Sequence, residues 1–241
     1  MAATMTIFKI MPGKTREYLD FAREMKDVRP GEHAASRRRL GIATERVWIE
    51  PTNAGDVLLY YLEGDDLEKS FRGLADSKDS FDVWFKGRFL DITGVDLGRP
   101  EAVELGELVF ESPRLHREGT DIPLATVMPI QPGFTNEWRA WLGELLVSRE
   151  DEYRGYLVRY GLGVEKVFLV RTPAGRMGIV YAEGDNPAGA IAKFAKSHHP
   201  FDAWMREEML YLNGIDFIRR ATAPAPDLVL DWKAEPRRAA A

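Results

Sequence analysis

The residues best able to do chemistry stand close together in the stretch Ser197-His198-His199-Pro200-Phe201-Asp202-Ala203-Trp204. Histidine titrates nearest to neutral pH, so His199 is a candidate general acid or base. Asp202, three residues on, could orient its imidazole, and His198 and Trp204 could face a bound small molecule. Upstream, Tyr181 and Glu183 are two residues apart. On a strand they share one face and could line the same pocket. A metal at His199 would need further ligands from His198, Asp202 or Glu183, and no metal-binding spacing is present. Haem would need an axial ligand reaching into a large cavity, and histidines at a helix start are poorly placed for that. No cofactor and no metal are therefore expected.

The elements that position this stretch come in two copies. Position n in the first half matches position n + 120 in the second without a gap. Pro12-Gly13 meets Pro132-Gly133, Arg39-x-Gly41 meets Arg159-x-Gly161, and Tyr61-x-Glu63-Gly64-Asp65 meets Tyr181-x-Glu183-Gly184-Asp185. Ser197 to Trp204 has its twin in Ser77-Lys78-Asp79-Ser80-Phe81-Asp82-Val83-Trp84. The twin keeps Ser, Phe, Asp and Trp and has no histidine. Asp79 stands where His199 stands, and aspartate is a strong helix N-cap. The stretch thus has a second reading: a cap, a first-turn acid favoured by the helix dipole, and two buried aromatics. Capping and acid–base chemistry both stay open for His199, while metal ligation lacks the spacing it would need.

Each copy runs strand, helix, two strands, helices, strand. Residues 5–10 are apolar and β-branched, and Pro12-Gly13 ends them. Tyr18, Phe21, Ala22, Met25 and Val28 are expected on one helical face, as are Trp138, Trp141, Leu142 and Leu145. Pro30-Gly31 interrupts this helical region in the first copy, while the second is expected to run on past Arg149 to Tyr160. Hairpins follow at 45–62 and 166–182, the latter turning at Pro173-Ala174-Gly175. Asp65-x-x-Glu68 resembles a capping box, and Asp185 holds the same place. Gly94 and Gly214 have the position of left-handed helix stops. Strands at 105–111 and 227–232 close the copies. This order is the ferredoxin-like βαββαβ plait. The strands Val57-Leu-Leu-Tyr-Tyr-Leu62 and Val167-Phe-Leu-Val170 do not alternate, so both sheet faces must be covered. The expected fold is α+β: two tandem repeats, 1–111 and 123–232, packed sheet to sheet as an intramolecular barrel. A linker at 112–122 joins them, and the tail at 233–241 is expected to fray.

These motifs resemble the dimeric α+β barrel superfamily. More narrowly they resemble a bacterial family of unknown function with Pro-Gly-Lys, Val-Phe-Leu, Tyr-x-Glu-Gly-Asp and Ser-x-His-Pro-apolar-Asp motifs. Here these are Pro12-Gly13-Lys14, Val167-Phe168-Leu169, Tyr181 to Asp185, and Ser197 to Asp202. The first copy departs from the last motif, with Asp79-Ser80 in place of His-Pro. The superfamily includes cofactor-independent monooxygenases, cyclases, mutarotases and haem enzymes, and fold alone does not choose among them.

Composition narrows the classes. The 241 residues contain no cysteine, which excludes disulfides and thiol chemistry and suits a cytoplasmic setting. A net charge of −5 argues against a nucleic-acid partner. No apolar run is long enough to span a membrane and no signal peptide is evident. A small-molecule ligand is the remaining partner, and the chain could be a monomer (a pseudo-dimer) or a homodimer. Two functions stay open: a cofactor-independent enzyme of monooxygenase, cyclase or isomerase type with its site in the second repeat, or a non-catalytic binding or association protein.

Overall fold

The computed structural model describes residues 1–115, 121–173 and 175–235. In chain order the elements are β1 (Ala2–Lys9), α1 (Thr15–Arg23), α2 (Pro30–Arg39), β2 (Ile42–Glu50), β3 (Val57–Gly64), α3 (Leu67–Asp76) and α4 (Ser80–Thr93). Then come β4 (Glu107–Glu111), β5 (Ile122–Pro129), α5 (Thr135–Val147), α6 (Glu150–Tyr160), β6 (Leu162–Thr172) and β7 (Gly175–Gly184). Helices α7 (Pro187–Ala195), α8 (Pro200–Asn213) and α9 (Phe217–Arg220) and strand β8 (Asp227–Lys233) complete the chain. The fold is α+β, with two four-stranded antiparallel sheets ordered β1-β3-β2-β8 and β4-β6-β7-β5. No helix among the described residues is long and apolar enough to cross a membrane.

The chain forms two compact units, Met1–Leu105 with the chain from Asp227, and Gly106–Pro226. This corrects the repeat boundaries expected at 1–111 and 123–232, because the closing strands are exchanged. β8 pairs with β2 in the first unit, and β4 pairs with β6 in the second. The physical reason is equivalence. Phe110 of β4 and Leu230 of β8 hold the same place in the repeat, and each is buried in the core of the unit its strand completes. After β4 the expected linker stays close to β6, with Ser112 N donating to Glu165 O at 2.8 Å and Leu115 N to Gly163 O at 2.8 Å. The rest of that linker, 116–120, lies outside the described residues, as do Ala174 of the expected turn and 236–241 of the expected frayed tail.

Two local expectations are also corrected. The helix of the second copy does not run on past Arg149. It breaks at Ser148-Arg149, and α6 starts afresh with Arg149 as its N-cap residue at φ −125°. In the first copy a π-helical turn at Glu24–Val28 precedes the break, and Pro30 opens α2, where its missing N–H costs nothing. The caps of α3 and α7 are Asp66 and Asn186, not Asp65 and Asp185. Their side chains accept from Lys69 N at 3.0 Å and Gly189 N at 2.9 Å. Gly94 and Gly214 end α4 and α8 at φ 74° and 67°, where a side chain would strain the backbone.

In each unit the helices pack on one sheet face. Val47, Ile49, Leu58 and Tyr60 meet Tyr18, Phe21, Phe81, Phe85 and Phe89 in the first unit. Val167, Leu169 and Ala182 meet Trp138, Trp141, Leu157, Phe194 and Phe201 in the second. Every residue from Thr44 to Glu50 is buried, so both faces of β2 are covered.

Candidate functional site

His199 caps α8. Its Nδ1 accepts from Phe201 N at 3.2 Å, as Asp79 Oδ1 accepts from Phe81 N at 3.0 Å at the start of α4. The two N-cap residues have matching backbones, φ −65°, ψ 133° and φ −59°, ψ 138°. His198 and His199 are both exposed. Asp202 is fully buried, and its hydrogen bonds come from Arg159 Nη2 at 2.5 Å, Ser197 Oγ at 2.6 Å and Tyr160 OH at 2.7 Å. Burial alone would raise its carboxyl, but these three donors hold it below the usual range. Asp82 repeats the arrangement with Ser36, Ser77 and Arg39. A clamp built twice, once without any histidine, ties the end of α6 or α2 to the start of α8 or α4. Trp204 is half-buried under the guanidinium of Arg149, 3.6 Å from the ring centroid, and Arg29 covers Trp84 at 4.3 Å in the same way.

Tyr181 and Glu183 do share a sheet face, with Tyr181 OH donating to Glu183 Oε1 at 2.6 Å. Arg114 donates to Glu183 Oε2 at 3.2 Å. Their neighbours Val180 and Ala182 point to the helices, so by strand alternation Tyr181 and Glu183 lie on the opposite face from α8. The structure therefore does not gather His198, His199, Asp202, Tyr181, Glu183 and Trp204 into one site.

A different place has the form of one. Between the sheet of the second unit and α6, α7, α8 and α9 lies a cavity of about 90 Å³. Its walls are apolar, among them Met128, Val180, Ala182 and Phe194, and its rim includes the half-exposed Met209 and Phe217. Two lining residues are charged: Glu165 and Arg220. Arg220 donates through Nη2 to Thr126 Oγ1, also in the lining. Glu165 accepts from Tyr153 OH at 2.5 Å through Oε2. Desolvation raises its carboxyl, the tyrosine hydrogen bond offsets part of that, and the group titrates at about 7.

The first unit holds the same cavity, nearly filled. Its residual space is about 30 Å³. Phe8, Tyr60, Leu62 and Phe89 line it where the second unit has Met128, Val180, Ala182 and Met209. Tyr60 OH reaches the hydroxyl of Tyr18 at 2.7 Å and closes the interior. Glu45, the twin of Glu165, is fully engaged. Arg37 Nε and Nη2 donate to it at 2.6 and 3.1 Å, and His33 Nε2 donates at 2.7 Å. Burial would push this carboxyl up, but the charge of Arg37 and the His33 hydrogen bond outweigh it and hold the group at about 2.

Glu165, Tyr153 and Arg220 are functional candidates that reading the sequence for motifs passes over. A signal for Glu165 is present all the same. Glutamate recurs at 45 and 165, two residues before Val47 and Val167, hence in phase with residues that face the helices. The strand begins at Leu162 rather than Lys166, and a bulge between Leu162 and Val164 puts Leu162 and Glu165 on one face.

No protein-family model matches the chain, and no curated protein matches it. Among solved structures it is similar to an anthrone oxidase-like protein, at 18% identity and a TM-score of 0.50, covering 99% of this chain and 95% of that one. Two proteins proposed to be monooxygenases also resemble it. One, from Fusobacterium nucleatum subsp. nucleatum, has 10% identity, a TM-score of 0.49 and 97% coverage of each chain. The other, from Lactobacillus acidophilus, has 9% identity, a TM-score of 0.46 and the same coverage. The likeness to the first shows a shared α+β fold along nearly the whole chain.

Proposed function

We propose that the cavity of the second unit is the active site of a cofactor-independent enzyme acting on a small molecule, of monooxygenase, cyclase or isomerase type. Glu165 is its general base. The observation that supports this is the Glu165 carboxyl in an apolar cavity, held among the described residues by the Tyr153 phenol and titrating near neutrality. A base with that pKa is half ionised at pH 7 and can both take and return a proton. The step common to the three chemistries is transfer of a proton from an acidic C–H or O–H of the substrate to Glu165 Oε1 or Oε2. Arg220 at the rim steadies the anion left behind. The name of the anthrone oxidase-like neighbour points toward an oxidisable substrate. His199 is assigned to capping α8, and Asp202 to the clamp with Arg159, Tyr160 and Ser197.

The test uses oxygen uptake with an anthrone as probe, beside native mass spectrometry of any co-purified molecule. Glu165→Gln is expected to lower turnover by about 10²–10⁴-fold, and wild-type kcat/KM to fall as pH drops below 7. If Glu165→Gln keeps full activity, Glu165 is not the base. If a co-purified molecule is retained unchanged by wild type and variant alike, the protein is a binder without chemistry.

A further inference from the structure

We propose that the cavity of the second unit takes a small planar nitrogen cation, of guanidinium or amidinium type, seated on Glu165 as Arg37 is seated on Glu45. This rests on reading that cavity as the binding site, and it adds the chemistry of an occupant that would compete with substrate.

The first unit displays the complex within its own chain. Ten lining residues of its cavity, Glu45 among them, match lining residues of the second at the same repeat positions. There the carboxylate receives a guanidinium edge on both oxygens, and the guanidinium carbon lies 4.5 Å from the centroid of the Phe85 ring. The second unit keeps the carboxylate and drops the cation. Leu157 stands where Arg37 stands, and Tyr153 replaces His33. Among the described residues the side-chain donor to Glu165 is then Tyr153 OH, which reaches Oε2 alone. Leucine is shorter than arginine by the whole guanidinium, and Val180 and Ala182 free further space that Tyr60 and Leu62 fill in the first unit. Tyr156, Phe194 and Phe217 supply aromatic walls suited to a cation. Arg220, the other charged lining residue, is turned to Thr126. At about 90 Å³ the cavity has room for a guanidinium bearing two or three carbons.

The probe is ethylguanidinium, with ethylurea as a neutral molecule of the same shape, titrated calorimetrically against the full chain. At pH 8 ethylguanidinium is expected to bind at least about tenfold more tightly than ethylurea. Its affinity is expected to fall about tenfold at pH 6, because a proton then competes for the carboxylate. Glu165→Gln should erase the preference for the cation. Leu157→Arg should abolish binding by supplying the internal guanidinium. If that variant does not fold, Glu165→Gln decides alone. Equal binding of the two probes, or cation binding unchanged in Glu165→Gln, would overturn the proposal. If the cation fails to bind wild type while Glu165→Gln still loses turnover, this inference falls and the general base stands. The reverse pattern, a Glu165-dependent cation with turnover indifferent to Glu165, keeps the inference and removes the base.

Discussion

Glu45 and Glu165 sit at the same step of the same repeat and face the same kind of helix layer, yet their protons behave oppositely. Glu45 is ionised down to about pH 2, and Glu165 holds its proton to about pH 7. Both are pushed upward by burial. The difference lies in what stands across from them: a guanidinium and an imidazole in one unit, a phenol and a cavity in the other. An ion taken out of water needs a partner of opposite charge, and without one it keeps its proton instead. The first unit uses its glutamate in a structural ion pair, while the second keeps the same glutamate at the wall of a cavity. The same exchange of bulk, Tyr60 for Val180 and Leu62 for Ala182, decides which of the two interiors is hollow.

The most drastic way to break this comparison is Arg37→Leu, which gives the first unit the side chain of the second. Arg37 and Glu45 are each 2% exposed, so the change strands a buried carboxylate with only His33 to answer it. Removing one partner of a buried pair costs about 3–5 kcal/mol. Urea denaturation at pH 7 is expected to show a loss in that range. A loss under about 1 kcal/mol would mean that Glu45 simply takes up a proton in a tolerant interior, and the contrast between the units would be one of chemistry without energetic weight.

The pH dependence of stability comes next in size. Glu165 has a folded-state pKa raised from 4.5 to about 7, so between these values the folded chain binds more protons than the unfolded one. Stability from this group is therefore lost as pH rises from about 4.5 to 7 and stays lost above it. The amount is about 3 kcal/mol, since each tenfold change in proton affinity is worth roughly 1.4 kcal/mol. Glu45 has the opposite sign. Its carboxyl is depressed, so its contribution is present above 4.5 and fades as pH falls toward about 2. Glu165→Gln should remove the neutral-pH loss and leave the acid limb in place. A wild-type-minus-variant curve that stays flat from pH 4 to 8 would show that Glu165 is not held protonated.

The sequence makes the α+β class legible because the repeat is ungapped and its punctuation is strong: Pro12-Gly13 and Pro132-Gly133 after the first strands, Gly94 and Gly214 after the long helices. It cannot show the exchange of β4 and β8. Two strands that carry equivalent residues fit equivalent slots, and nothing local says which slot each takes. The candidate site is hard to read for a related reason. Side chains that differ between copies stand out, and His199 against Asp79 is such a difference, but both cap a helix. The informative pair is the identical one, Glu45 and Glu165, whose meaning lies in non-identical partners twelve and eight residues upstream: His33 and Arg37, Tyr153 and Leu157. Spacing along one chain cannot show that a helix brings those residues against a strand.

The smallest expected effect concerns the stretch that looks most like a motif. At His199 a neutral imidazole nitrogen accepts the Phe201 N–H at 3.2 Å, where Asp79 uses a carboxylate at 3.0 Å. A carboxylate is the stronger N-cap, and it also complements the positive end of the helix dipole. In the first unit Asp79 additionally lies 3.3 Å from Arg39, and Arg159 occupies the matching place in the second. That pair is exposed enough to add little. His199→Asp is thus expected to raise stability at pH 7 by about 0.5–1 kcal/mol, read as a rise in melting temperature, with binding and turnover at the Glu165 cavity unchanged. A variant that gains stability but loses turnover would return His199 to the chemistry and move the active site from the cavity to the start of α8.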